Sequence, residues 1–204
     1  MTAKIKLNSA SGGGSFSLQA PSSSSNNRVF TLPDVADGTI ATTTTGGKLL
    51  NYAQTFKTDV TFFDGGAGVV SGDLIFLDYT AASTSNKLLI MATICVSTQN
   101  GASNQTYGYL YIGGSVSAAI GDAAGSRIRT TFQNQNFNDY QLTPVAHNYL
   151  LSSPSTSSTR YSYRFSHTDT SDDRGIMINK SHVDTDNASF GRNTSSITIM
   201  EFAP

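Results

Sequence analysis

Charged side chains are scarce in this sequence. Asp, Glu, Lys and Arg together make up 13% of the 204 residues, about half of the roughly 25% that is usual for soluble domains. The formal net charge is −1, and Lys and Arg never cluster. The sequence therefore shows no electrostatic footprint for nucleic acid or for an anionic membrane surface, and we expect no nucleic-acid partner.

Long apolar runs are also missing. The longest extends from Leu88 to Val96 and is interrupted by Thr93, which is far below the roughly 20 residues that a helix needs to cross a bilayer. The opening stretch MTAKIKLNSASGGG contains no apolar segment of the kind that directs secretion. We therefore expect neither membrane insertion nor a secretion signal.

Cysteine and glutamate occur once each. Cys95 cannot form an internal disulfide, and its apolar neighbours in KLLIMATICVST predict a buried, unreactive thiol. Glu201 is the single glutamate, which excludes a glycosidase built on two glutamates. Two aspartates could serve instead, but nothing singles out a pair, and the common nucleophile, zinc, P-loop and dinucleotide motifs are absent. The sequence thus predicts no enzyme and no cofactor.

Short apolar runs separated by turns replace the missing features. Eight or nine strands are expected after residue 48, from the following runs: NYAQTFKTDVTFF, DLIFLDYTA, KLLIMATICVS, TYGYLYIGG, RIRTTFQ, NYLLSS, TRYSYRFSH, GIMINKS and SITIMEF. In TRYSYRFSH, strict alternation puts Tyr161, Tyr163 and Phe165 on one face. KLLIMATICVS is apolar on both faces, which predicts a central strand covered on both sides. These features predict an all-β fold, with an antiparallel β-sandwich of the jelly-roll type over residues 49–204.

Residues 1–48 have a different texture. Their short β-like pieces alternate apolar and polar residues, as in Phe16 and Leu18 and again in Phe30 and Leu32. A two-stranded hairpin alone is marginally stable in water, and these pieces offer few large side chains. We therefore expect residues 1–48 to form a separate β-segment that packs on the second part or is completed by other chains.

Both parts of the chain contain stretches that resemble a known family. GGGSFSLQAPSSSSNNRVFTLPDVADGTIATT is similar to the N-terminal segment of many tail-fibre-like proteins of marine bacteriophages, notably cyanophages. TSNKLLIMATI, GDAAGSRIRTT, SSPSTSSTRYSYR and DTDNASFGRNTSSITIMEF resemble the domain that often follows it. The resemblance implies a virion structural protein, made in the host cytoplasm, usually homotrimeric and ending in a jelly-roll knob. The usual glycine-rich or coiled shaft is absent, which favours a short fibre or a capsid-bound appendage.

The same resemblance suggests a role for the N-terminal segment. Residues 1–48 are expected to attach the protein to other virion proteins and to interleave between chains. The apolar residues that alternate along it are the attachment candidates, namely Phe16, Leu18, Phe30 and Leu32.

Two acidic loops are candidates for a calcium site. Asp172 and Asp173 lie in the first, and Asp184 and Asp186 lie in the second. Their oxygens could converge on Ca²⁺, which takes six to eight oxygen ligands. The alternative is that these aspartates cap turns and pair with Arg174 and Arg192, so no metal is assigned.

Amide-rich loops are candidates for receptor contact, because recognition residues are commonly carried by loops on a rigid β-scaffold. The candidate residues are Asn100, Asn104, Gln105, Gln133, Asn134, Asn136, Asn138 and Tyr140. Tyrosines such as Tyr107 and Tyr109 lie beside these loops and can bind sugars through their rings. The alternative is that this tyrosine stripe faces the sandwich core or an interface between copies.

The predicted function is adhesion of a phage tail fibre or appendage to host surface glycans. One alternative is a capsid decoration protein that stabilises the head. A depolymerase-like enzyme is a third class, which would need a convergent pair of acids in a groove.

Overall fold

The computed structural model describes residues 4–8, 11–13, 15–19, 47–98, 105–135, 139–168, 175–188 and 190–204. The chain forms two compact units, residues 1–42 and residues 43–204. In the first unit, strands β1 (Lys4–Asn8) and β2 (Ser15–Gln19) pair antiparallel, with Leu7 opposite Phe16 and Ile5 opposite Leu18. Phe30 and Leu32 lie outside the described residues.

Every regular element described in the second unit is a β-strand. The strands are β3 (Leu49–Lys57), β4 (Thr61–Phe63), β5 (Ile75–Tyr79), β6 (Lys87–Thr98), β7 (Gln105–Ile112), β8 (Ser115–Val116), β9 (Phe132–Gln135), β10 (Thr143–Ser152), β11 (Thr159–His167), β12 (Ile176–Ile178) and β13 (Ser195–Phe202). Within the described ranges, no helix is long and apolar enough to span a membrane.

The strands form two antiparallel sheets. In the first sheet, β6 pairs with β10 along one edge and with β13 and β12 along the other, while β3 lies outside β13 and β4 outside β12. In the second sheet, β11 lies between β5 and β7, and β8 and β9 share the far edge of β7. The predicted all-β, sandwich-like fold is confirmed at this level.

The eight longer strands pair in a nested order. The first pairs with the last, as β3 with β13, and the second pairs with the next to last, as β5 with β11. The inner pairs are β6 with β10 and β7 with β9. The chain therefore runs as one long hairpin that is folded over to make the two sheets.

This order gives the sandwich two different ends. At one end, which we call the loop end, β6 and β9 finish, while β7 and β10 begin, with Gln105 opposite Gln135 and Thr143 opposite Val96. At the opposite end, which we call the terminal end, the amide of Ala203 donates to the carbonyl of Lys48 over 2.9 Å. That bond joins the start and the finish of the sandwich, so Lys48 belongs to the second unit although the sequence predicts a boundary after it.

The core lies between the sheets and is mostly aliphatic and aromatic. Tyr161, Tyr163 and Phe165 are fully buried, as the alternation in TRYSYRFSH predicts. Aliphatic side chains of the first sheet face them, chiefly Leu88, Ile90, Ile94, Ile197 and Ile199. Gly108 interrupts the tyrosine-rich strand β7 because the Phe132 ring occupies the space that a Cβ would need.

Strand β6 is central, as predicted, but only part of it is covered on both faces. Cys95 and Ser97 on its outer face are buried, and Ser97 Oγ donates to the carbonyl of Lys180. Leu89 and Met91 are only half-buried on that face, and Thr93 is exposed. The segment between β12 and β13 covers the end of the strand, whereas its first half has no covering layer among the described residues.

Asn179 joins four parts of the first sheet. It is fully buried, with a φ of 66°, and its amide donates to the carbonyl of Cys95 over 2.9 Å. Its side-chain Nδ2 donates to the carbonyls of Lys57 and Asp59, and its Oδ1 accepts from Ser195 Oγ over 2.6 Å. A left-handed backbone conformation is tolerated by Asn better than by most residues. Here it places one side chain within hydrogen-bond distance of the end of β3, the connection after β3 and the start of β13.

Glu201 is a buried carboxylate held by uncharged hydrogen-bond donors. Its oxygens accept from Tyr79 Oη over 2.8 Å, from Asn86 Nδ2 over 2.6 Å and from the amide of Ala82 over 2.8 Å. Burial alone would raise the pKa of Glu201, but these hydrogen bonds outweigh burial and hold the pKa below its usual value. Burial and this carboxylate raise the pKa of Tyr79 to about 12. The group ties the β5–β6 loop to the last strand.

We predict that Glu201→Gln destabilises the chain by about 2–3 kcal/mol, because the amide places a donor against donors and weakens charged hydrogen bonds. Denaturant unfolding of the full chain, followed by circular dichroism, measures this. Asp122→Asn removes an exposed carboxylate and should change the free energy of unfolding by less than about 0.5 kcal/mol.

The same variant has an expected pH signature. Because the folded-state pKa of Glu201 is depressed, its contribution is present above about pH 4.5 and is lost as pH falls through the folded-state pKa. Glu201→Gln should therefore show a shallower loss of stability in acid than the parent chain. Equal stability of the two chains at pH 7 would contradict the role of this carboxylate.

Candidate functional site

The loop end carries several of the amide residues predicted to contact a receptor. Gln105 begins β7, and Gln133 and Asn134 lie in β9, where Asn134 is opposite Thr106 and Gln133 is opposite Tyr107. The fold thus brings two segments far apart in sequence to adjacent strand ends. Four other candidates lie outside the described residues, namely Asn100, Asn104, Asn136 and Asn138.

The tyrosine stripe of β7 lies on the outer face of the second sheet, opposite to Leu110, which is in the core. The sequence left open whether the stripe faces the core, and it does not. Its rings are held by neighbours: the Arg164 guanidinium lies 4.2 Å from the centroid of Tyr111, and Tyr109 Oη lies 3.3 Å from Ser166 Oγ.

A second group forms around the segment between β12 and β13. The amide of Val183 donates to the carbonyl of Asp139 over 3.0 Å, which ties this segment to the connection between β9 and β10. Further along, the amide of Phe190 donates to the carbonyl of Asn187 over 3.0 Å, which closes a turn. These bonds bring the residues of two separate connections together at the loop end.

Two aromatic rings stack where these connections meet. Tyr140 and Phe190 have centroids 5.3 Å apart and an interplanar angle of 21°. Tyr140 is 62% exposed, so one ring of the pair is largely open to solvent. Beside Phe190 lies a concavity of about 530 Å³, which we call the loop concavity, lined by Asp184, Thr185, Asp186, Asn187, Phe190 and Arg192.

Asp184 organises the charges of the loop concavity. Arg192 grips its carboxylate with two nitrogens, Nη2 at 2.8 Å and Nε at 3.2 Å, and Lys180 Nζ lies 3.6 Å away. The hydrogen bonds from Arg192 lower the pKa of Asp184, and the same contact raises the pKa of Arg192. The contact with Arg192 is the ion pair that the alternative interpretation of the acidic loops expects. Asp184 therefore pairs with two cations, Arg192 and Lys180.

The calcium candidates are only partly described. Asp172 and Asp173 lie outside the described residues, and Asp186 is exposed. Among the residues that are described, no group of three or more His, Cys, Asp or Glu side chains is placed to hold a metal ion. The geometry therefore favours ion pairing by Asp184 over metal binding.

The loop concavity has the chemistry of a site for a polar, ring-shaped ligand. Tyr140 does not line the concavity itself but stacks on Phe190, which does, and its exposed ring offers a face for the apolar side of a sugar ring and a hydroxyl for hydrogen bonding. Arg192 binds Asp184 through Nη2 and Nε, and both Arg192 and Asn187 line the concavity. Such a site would orient hydroxyl groups without a strong net charge.

The sequence pattern indicates Tyr140, Asp184 and Asp186 as candidates but not Phe190 or Asn187. It predicts no contact between the two loops. The available signal was a single large aromatic residue in the polar run DNASFGRN. A ring in such a setting has no strand alternation to place it in a core, so it needs a partner elsewhere. The partner, Tyr140, is remote in sequence and could not be chosen from spacing.

We predict that Asp184→Asn loosens the loop concavity while leaving the sheets intact. The neutral amide gives up the charged pair with Arg192, and exposed pairs contribute at most about 1 kcal/mol, so global stability should change little. Hydrogen exchange followed by mass spectrometry should show faster exchange in residues 183–188 and unchanged protection in β6 and β13. Asp122→Asn is the matched control, and identical exchange in both variants would contradict the organising role of Asp184.

No protein-family model matches this chain, and no curated protein sequence matches it at a significant level. The assignment of a function therefore depends on the arrangement of the sandwich, the loop concavity and the residues that carry the resemblance.

Proposed function

We propose that this chain is a bacteriophage virion protein, a short tail fibre or appendage whose sandwich domain contacts glycans on the host surface. The resemblance of its sequence segments to tail-fibre-like proteins of marine phages suggests the class. The separation of the two ends of the sandwich supports it independently.

The sandwich is proposed to be a jelly roll. The nested pairing of β3 with β13, β5 with β11, β6 with β10 and β7 with β9 is the arrangement expected when one long hairpin wraps into two four-stranded sheets. Jelly rolls occur in viral capsid and lectin domains, so the fold is compatible with a virion protein and with sugar binding.

The observation that carries the proposal is that the chain enters the sandwich at one end and forms its candidate binding loops at the other. The chain passes from the N-terminal part into the sheets at Lys48. The carbonyl of Lys48 accepts a hydrogen bond from the amide of Ala203 at the terminal end. Tyr140, Gln105 and the loop concavity lie with the connections of the opposite, loop end. An appendage needs this arrangement, because one end must be held by the particle while the other reaches the host.

The N-terminal unit would then provide the attachment. Phe16 and Leu18 lie in β2, and the strand they form has only one described partner, β1. A two-stranded ribbon of this size gains stability by adding to other chains. Three copies joined in this way, a homotrimer, would present three loop ends together and raise avidity without strong single sites.

The binding test uses the full chain and a panel of oligosaccharides prepared from host surface polysaccharide. We expect Tyr140→Ala to weaken binding about tenfold, which corresponds to about 1.4 kcal/mol, because the exposed ring supplies the stacking face. Ile128→Ala, which trims another exposed apolar side chain away from the loop concavity, is the control and should bind like the parent.

Circular dichroism of both variants checks that the fold is retained. Absence of any oligosaccharide binding by the parent chain, or equal binding by the parent and Tyr140→Ala, would rule out the loop concavity as the glycan site.

A further inference from the structure

The outer face of the first sheet has an unusual composition. Strand register places three rows of side chains across four strands on this face, which we call the uncharged face. The rows are Tyr52, Met200, Leu89 and Leu150; then Gln54, Thr198, Met91 and Asn148; then Phe56, Ser196, Thr93 and Ala146.

None of these side chains carries a charge, and the largest are open to solvent. Tyr52 is 64% exposed, Phe56 is 63% exposed and Leu150 is 52% exposed. The row at the terminal end adds Leu49, which is also exposed, and brings in Lys87 as the one charged residue in register with the face.

The outer face of the second sheet is built differently. Arg160 binds Asp78 with two nitrogens, at 2.8 and 2.9 Å, and lies 4.0 Å from the centroid of the Phe76 ring. Arg164 Nε donates to Asp73 over 2.7 Å. On this face, the aromatic rings of Phe76 and Tyr111 are thus covered by arginine side chains whose charged groups remain hydrated, which suits a surface that stays in water.

We propose that the uncharged face packs against a second copy of this chain. Exposed apolar patches of this kind mark interaction sites, and depletion of charge with enrichment of Tyr, Phe and Met is the composition of an interface core. A face without charge meets its own copy without like-charge repulsion, so self-association needs no complementary partner surface.

The size of the face is sufficient for such an interface. Together with the row at the terminal end, the face covers four strands about 4.8 Å apart and about eight residues long, which at about 3.3 Å per residue is roughly 500 Å² of plane. Two such faces therefore bury roughly 1,000 Å² or more, which is the threshold for a specific contact.

Other occupants fit the face less well. The concavity on it, of about 210 Å³, is lined in the described part of the chain by no aromatic ring and by one amide, that of Asn148, whereas the loop concavity has the Phe190 ring, the Asn187 amide and the Arg192 guanidinium. A membrane surface would favour a rim of Lys and Arg, and Lys87 is the one such residue in register with the rows. Two copies that meet through the same face form a two-fold contact, so this interface is additional to the association proposed for the N-terminal units and does not depend on it.

The first test is the mass of the full chain in solution, measured by sedimentation velocity over a range of concentrations. The parent is expected to be an oligomer, and Tyr52→Lys combined with Leu150→Lys should weaken self-association by roughly a hundredfold or more, because unpaired charges would be buried. The control combines Val116→Lys with Ile128→Lys, which adds the same charge at similarly exposed positions outside the face. It should leave the mass unchanged.

A crosslinking measurement keeps the proposal testable if the N-terminal units alone hold copies together. Thr93 is exposed in the row of the face nearest the loop end, and the native thiol of Cys95 is buried. Thr93→Cys should crosslink between copies with a flexible bis-maleimide, whereas Gln133→Cys, on the outer face of the second sheet, should not.

A monomeric parent would overturn the proposal, and so would an oligomer whose Thr93→Cys variant does not crosslink. Either result leaves the oligosaccharide test of the loop concavity unaffected, so failure of this interface and failure of the proposed function are distinguishable.

Discussion

Strand β6 is hydrogen-bonded along both of its edges, and the arrangement of the first sheet depends on this pairing. Its inner residues, such as Ile90 and Ile94, are fully buried, so a shift of register by one residue would expose the whole set. The neighbouring strands β10 and β13 take their register from it. The strand begins with Lys87 at the terminal end and ends with Thr98 at the loop end, so it spans the sandwich from one end to the other.

The few charges are distributed unequally, and this distribution links fold to function. Glu201 is buried where several donors meet, which fixes the terminal end. Arg160 and Arg164 keep the outer face of the second sheet hydrated, and Asp184 with Arg192 shapes the loop concavity. The outer face of the first sheet receives no charge in its three rows. This is the face that we propose packs against a second copy of the chain.

Much of this fold could be predicted from the sequence, since period-two alternation places Tyr161, Tyr163 and Phe165 in the core. Details that depend on neighbours could not. β10 begins at Thr143, earlier than NYLLSS indicates, because an edge strand tolerates Pro144. β9 begins only at Phe132, late in RIRTTFQ, because the preceding residues bond elsewhere, with Arg129 Nε donating to the carbonyl of Gly121. The Tyr140–Phe190 stack joins two loops that no local pattern connects.

We propose that the sandwich of this chain is carried outward on the tail of a phage particle with its loop end towards the host. Immunogold labelling of intact virions with an antibody against residues 49–204 tests it most directly. We expect gold at the tail or its base, on particles that lose adsorption when the same antibody is added. Gold spread evenly over the head, with adsorption unchanged, would contradict the account and indicate a capsid decoration protein instead.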